Sequence, residues 1–190
     1  MLNEMKARLE ASSINVISES KQNLQKENKV GELSNSLRYE INDTNDGFEV
    51  LFLGTDYGSF VDKGVQGANP NKLPRNSKWF GINKAPTSPF RFGSGTGKKG
   101  GLRGAIDKWV VSKPIMSARN KKGEFIPRKS LTYLISRSVY LSGIKTTNFF
   151  TDPFNKMKTN LTKELNFAFA KDIQQTIFKN GSNSIKKSTI

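Results

Sequence analysis

Four aspartates, Asp43, Asp46, Asp56 and Asp62, stand close together in the sequence. Clustered carboxylates suit hard divalent cations and metal-assisted hydrolysis. Two of these four fall in a turn and one at an expected helix cap. Aspartate is favoured at such positions for its bonds to nearby backbone, so a structural role outweighs a catalytic one. A second signal is Gly95-x-Gly97-x-x-Gly100, the spacing of a dinucleotide-binding loop. That loop needs a buried strand before it and an acid about 20 residues later. Pro89-Phe90-Arg91-Phe92 makes a poor buried strand, and Asp107 and Glu124 are badly placed. Lys98 is followed by Lys99, not by the Ser or Thr of a phosphate-binding P-loop. A loop tip is the better reading. The chain has no histidine and no cysteine. The commonest general base, the commonest metal ligand and the thiolate nucleophile are therefore all missing. Carboxylate or lysine catalysis remains the one enzymatic route. The expectation is a protein without catalytic residues, metal or cofactor.

Charge is the stronger signal. The net charge is +15, and it is uneven. Residues 1–62 sum to −5, residues 63–129 to +14 and residues 130–190 to +6. The densest basic set is Lys98, Lys99, Arg103, Lys108, Arg119, Lys121 and Lys122. Such a segment is a solvated, solubilising face, or the complement of a polyanion through phosphate contacts along a DNA path, or that of an acidic neighbouring subunit. Aromatic residues lie among the cations: Trp79, Phe80, Phe90, Phe92 and Trp109. They suit docking against a partner or stacking on bases. No apolar run approaches the roughly 18 residues of a membrane span. The first residues lack the apolar block of a signal peptide, so the expected location is the compartment of synthesis.

The elements that must position these residues can be read from periodicity. Leu2, Met5, Leu9, Val16, Ile17 and Leu24 predict one amphipathic helix over 2–28, with Ser12-Ser13 as a candidate break. Leu37, Tyr39 and Ile41 alternate along a strand from Ser36 to Asn42. Asp43 to Gly47 is turn chemistry, and a second strand runs from Phe48 to Gly54. In Tyr57-Gly58-Ser59-Phe60-Val61-Asp62-Lys63-Gly64, the spacing of Tyr57, Phe60 and Val61 predicts a short helical turn. Asp56 would cap it, Gly64 would end it, and its aromatics would bury against the hairpin. Residues 63–129 hold 10 of the 16 glycines and 6 of the 7 prolines. That composition predicts a long arm outside the core, carrying a short helix over Leu102–Ser112 and a hairpin over about Ile115–Ile126. Residues 128–142 predict a helix stopped by Gly143, and Lys145–Thr151 a strand. Asp152-Pro153 predicts the start of a long helix that reaches about Lys179 and ends at Gly181.

One resemblance follows from the order of these pieces. An amphipathic helix leads to Gly31-Glu32-Leu33-x-x-Ser36-Leu37, a hairpin, Tyr57-x-x-Phe60-Val61-Asp62-x-Gly64 and, later, Asp152-Pro153-Phe154 before the last helix. This resembles the small head–tail connector proteins of long-tailed phages, also called tail-completion, neck or head–tail joining proteins. The likeness covers roughly residues 1–64 and 130–180, and the order of the motifs carries it. The long Gly/Pro/Lys segment departs from the family, which has a much shorter loop there. The resemblance implies a virion protein of the neck, assembled in the host cytoplasm. Its partners would be copies of itself in a ring of twelve or six, a portal or adaptor, tail proteins and the DNA in the channel.

The expected fold is α+β. A small antiparallel sheet carries N-terminal, central and long C-terminal helices on one face. Residues 1–64 and 128–190 would build a single core, with 65–127 as an inserted basic arm. Tyr57, Phe60, Val61, Asp62 and Gly64 form the core motif. Trp79, Phe80, Phe90, Phe92 and Trp109 are expected at subunit contacts, and Lys98, Lys99, Arg103, Lys121 and Lys122 facing DNA. A basic nucleic-acid-binding protein outside any ring is the alternative.

Overall fold

The computed structural model describes residues 2–27, 31–94, 101–112, 119–120 and 122–187. The fold is α+β, with the expected N-terminal, central and long C-terminal helices and small antiparallel sheets. The chain forms two compact units. The first combines Met1–Gly58 with Asn148–Ile190, and the second is Ser59–Thr147. These boundaries differ from one core with an arm at 65–127. The described part of the glycine- and proline-rich segment belongs to a unit with its own interior. Val65, Leu73, Ala85 and Val110 are buried there.

In the first unit, α1 (Asn3–Lys26) runs antiparallel to α6 (Thr151–Lys187). Glu4 lies by Asp172, Arg8 and Ser12 by Glu164, Glu19 by Lys156, and Asn23 by Phe149. The buried stripe of α1 is Leu9, Ser12, Ser13, Val16, Ile17, Ser20 and Leu24, a helical spacing. Ser12-Ser13 does not break the helix. The Ser13 hydroxyl donates to the Leu9 carbonyl one turn back, at 2.8 Å, so it needs no other partner.

A short helix α2 (Glu32–Ser36) leads into β1 (Arg38–Thr44), which pairs antiparallel with β2 (Gly47–Leu53). Thr44 faces Gly47 across a two-residue turn at Asn45-Asp46. Leu37, Tyr39 and Ile41 share the inner face, and Arg38, Glu40 and Asn42 are exposed. Phe52 meets Phe150 and Phe154 edge to face, at centroid distances of 5.4 and 5.9 Å.

Helix α6 departs from expectation at both ends. The strand predicted over Lys145–Thr151 is absent, and only Gly143–Ile144 is extended. The helix passes Gly181 and continues to Lys187, because one glycine costs only about 1 kcal/mol in a helix interior. Pro153 sits in the first turn, where an amide is unpaired in any helix.

In the second unit, α3 (Gly58–Lys63) precedes β3 (Val65–Gln66), which pairs with β4 (Gly143–Ile144). Helices α4 (Gly101–Ser112) and α5 (Arg128–Ser142) pack together. The Arg128 guanidinium holds the Asp107 carboxylate with two bonds, and the Thr132 hydroxyl donates to it at 3.2 Å. These bonds, Arg128 above all, hold the Asp107 carboxyl below the usual range. Gly143 ends α5 at φ +89°, as its position in the sequence predicted.

Candidate interaction surfaces

The motif Tyr57 to Gly64 has a different job from the one its periodicity suggests. Tyr57 and Phe60 are 43% and 44% exposed, and the Phe60 ring packs against Phe90 at a centroid distance of 4.3 Å, tilted by 50°. They are not buried against the hairpin, and Val61 is half-buried. The buried members are Asp62 and Gly64. Three consecutive carbonyls of α3 are claimed by the segment after β4. The Thr147 hydroxyl donates to Val61 O, the Thr147 amide to Asp62 O, and the Thr146 hydroxyl to Lys63 O. The helix is too short to hold its own ends, so side chains and backbone from residues 146–147 finish it. Gly64 does end α3, at φ +68°. A Cβ there would meet the Ile144 carbonyl at 2.5 Å. Its carbonyl also accepts from the Ser88 hydroxyl. The motif is thus a backbone junction, and the aromatics are its outer face.

The aromatics expected at subunit contacts divide into two groups. Phe90 and Phe92 are half-buried and engaged within the second unit, Phe90 with Phe60 and Phe92 with Tyr140 at 5.8 Å. Both rings pack within the unit and keep part of their surface exposed. Phe80 and Trp109 do present surface. On α4, Val110 takes the buried position, so the neighbouring Trp109 turns outward. Trp79 is half-buried between two ammonium groups, Lys84 at 4.4 Å and Lys78 at 5.3 Å from its ring centroid.

Of the residues expected to face DNA, Lys98, Lys99 and Lys121 lie outside the described residues, as does the Gly95 to Gly100 loop. Arg103 is exposed on α4, 6.0 Å from the Tyr133 ring centroid. Lys122 is exposed in a tight turn, where the Asn120 side chain accepts from the Lys122 and Glu124 amides. Arg119 pairs with Phe125 across that turn, the described part of the expected hairpin; residues 113–118 fall outside it. Among the described residues, no three acids converge as a metal site would require. Asp43 pairs with Lys6. No helix among them is long and apolar enough to cross a membrane.

Charge follows the two units. The first holds 13 Lys/Arg and 13 Asp/Glu, and the second 18 against 3, so the second carries the whole +15. The acidic N-terminal third is neutralised within its own unit by the basic α6, through pairs such as Lys156 with Glu19.

Sequence reasoning missed Asp172. Its carboxylate is buried and accepts from the Glu4 and Met5 amides at 3.0 and 3.1 Å. Helix α1 has no side-chain cap of its own, so Asp172 supplies one from the far end of the chain. Burial raises the Asp172 pKa, but the backbone donors outweigh burial, and the net direction is down.

No protein-family model matches the chain, no curated protein is similar to it, and no solved structure matches its fold.

Proposed function

We propose that this protein is a self-assembling structural subunit of the head–tail connector of a tailed phage, a neck or tail-completion ring of twelve or six copies. The reading starts from the ordered motifs between Gly31 and Phe154. One observation carries it from likeness to assembly: α6 leaves large apolar side chains in water. Phe167 is 76% exposed and Phe178 70%, with Phe169, Ile173 and Ile177 also exposed. Helix α6 is about 55 Å long at 1.5 Å per residue, so Ile177 and Phe178 lie past the start of α1, whereas Phe167 and Phe169 lie within the stretch paired with α1 and are still exposed. Phe167 and Phe178 lie on one side of the helix, and Phe169, Ile173 and Ile177 lie on the opposite side, so α6 offers two exposed apolar strips of the kind that mark protein contacts. They lie on the electrically neutral unit, where copies meet without net repulsion. In this role the protein needs no catalytic residue, and the channel or rim would carry the basic unit.

Size-exclusion chromatography with light scattering tests the reading. The wild type is expected to run as a closed oligomer. The double variant F167S/F178S is expected to run as a folded monomer with unchanged helix content. A wild-type monomer at high concentration, or rings indifferent to both substitutions, would refute assembly through α6.

A second reading is favoured by the charge of the second unit. Eighteen cations against three acids fit a polyanion. On this reading the protein binds nucleic acid without forming a ring, and a monomer that binds DNA would select it.

A further inference from the structure

The two ammonium groups at Trp79 are brought together by the loop that carries them. Residues 70–84 form a compact loop. The Gly81 amide donates to the Pro70 carbonyl at 3.3 Å and closes it, and the Lys84 amide donates to the Ser142 carbonyl at 2.9 Å and pins its end. Inside it, the Phe80 amide donates to Ser77 O and the Ile82 amide to Trp79 O. The backbone around Trp79 is therefore held, and both lysines sit within cation–π range of the indole.

This arrangement is costly by itself. Lys84 is partly desolvated against the ring, which pushes its pKa down from the ordinary lysine value. No acid is near in sequence: there is no Asp or Glu between Asp62 and Asp107. The three acids of the unit are used elsewhere. Asp62 is buried, Asp107 is held by Arg128, and Glu124 accepts from Asn120. An anion from outside would compensate the desolvation of the Lys84 ammonium.

We infer that Lys78, Trp79 and Lys84 form a contact site for the phosphodiester backbone of duplex nucleic acid. The inference rests on the polyanion reading of the second unit and is independent of ring formation. The lysines act as point charges on phosphate oxygens, and the indole holds them in place. Because both ammonium groups already attend the ring, the site reads backbone and not base, and binding is independent of sequence. A nucleic acid is favoured over an acidic protein because the unit's 18 Lys/Arg against 3 Asp/Glu match a backbone that carries a negative charge at every phosphate.

The test is the salt dependence of binding of the full chain to a short, labelled, mixed-sequence DNA duplex, followed by fluorescence anisotropy. Removing two phosphate contacts in K78Q/K84Q is expected to make the slope of log K against log salt shallower by about 1.8. The control pair K108Q/K129Q removes two exposed cations of the same unit and is expected to change it far less. W79A removes no charge, yet is expected to flatten the slope, while W79F keeps a ring and retains it. If W79A does not fold, the two lysine pairs decide the matter. A wild type with no salt-dependent duplex binding would overturn the site together with the polyanion reading. Binding that is normal in K78Q/K84Q, or weakened equally by the control pair, would overturn the site alone. Equal competition by polyglutamate would overturn the assignment to nucleic acid.

Discussion

Ser20 is fully buried on α1, and its hydroxyl has no hydrogen-bond partner among the described residues. A buried unpaired hydroxyl costs free energy that alanine would not incur. Ser20→Ala is expected to stabilise the protein by about 1 kcal/mol, read as a rise in the midpoint of denaturant unfolding. Asp172 is the opposite case, a buried polar group that is fully used. Its folded pKa is depressed, so its contribution is complete above the unfolded value of about 4 and is lost as pH falls through the folded value. Asp172→Asn is expected to lower the melting temperature at neutral pH. The gap between variant and wild type should narrow as the pH drops below about 4. A gap that stays constant would show that the carboxylate charge is not what caps α1. Neither residue announces its role in the sequence. Ser20 reads as a helix position like any other. Asp172 reads as one more surface acid, because its partners are backbone amides far away along the chain.

At the scale of elements, local signals were legible and distant ones were not. The hairpin, the helix from residue 128 to Gly143, and the short helix at 101–112 all follow from periodicity and turn residues close to one another. The expected strand at Lys145–Thr151 failed because those residues spend their donors on α3: Thr146 and Thr147 are β-branched, but here they act as hydrogen-bonding hydroxyls. The aromatic spacing at Tyr57 and Phe60 was real, but the helix it predicts lasts less than two turns and is held by its backbone. The glycine at its end is therefore the sensitive position. Gly64→Ala must adopt a left-handed φ and crowd the Ile144 carbonyl. It is expected to destabilise the protein by at least about 2 kcal/mol. Phe60→Ala, which trims a half-exposed ring, should cost less. Thermal melts of the two variants check the order, and a larger loss at Phe60 would return the weight to the aromatics. The lysine pair at Trp79 had only a faint sequence signal, the adjacency of Lys78 and Trp79, because Lys84 reaches the ring through the loop's closure and not through any period.

At the scale of the whole molecule, the first unit is made of the two ends of the chain and the second of its middle. During synthesis, Ser59–Thr147 is complete before any of α6 exists. Helix α1, made first, waits for its partner with Leu9, Val16, Ile17 and Leu24 uncovered and its leading amides uncapped. The first unit is therefore completed only when α6 has been made. Nascent chains arrested with residue 147 just outside the ribosome are expected to resist protease across 59–147 and to be cut within α1. Extending the arrest point past Asp172 should protect both. If α1 is already resistant in the shorter chain, it has found cover other than α6. The waiting interval is also when the uncovered stripe is most open to a wrong partner, so a slower passage through the middle of the message should cost yield by aggregation at α1.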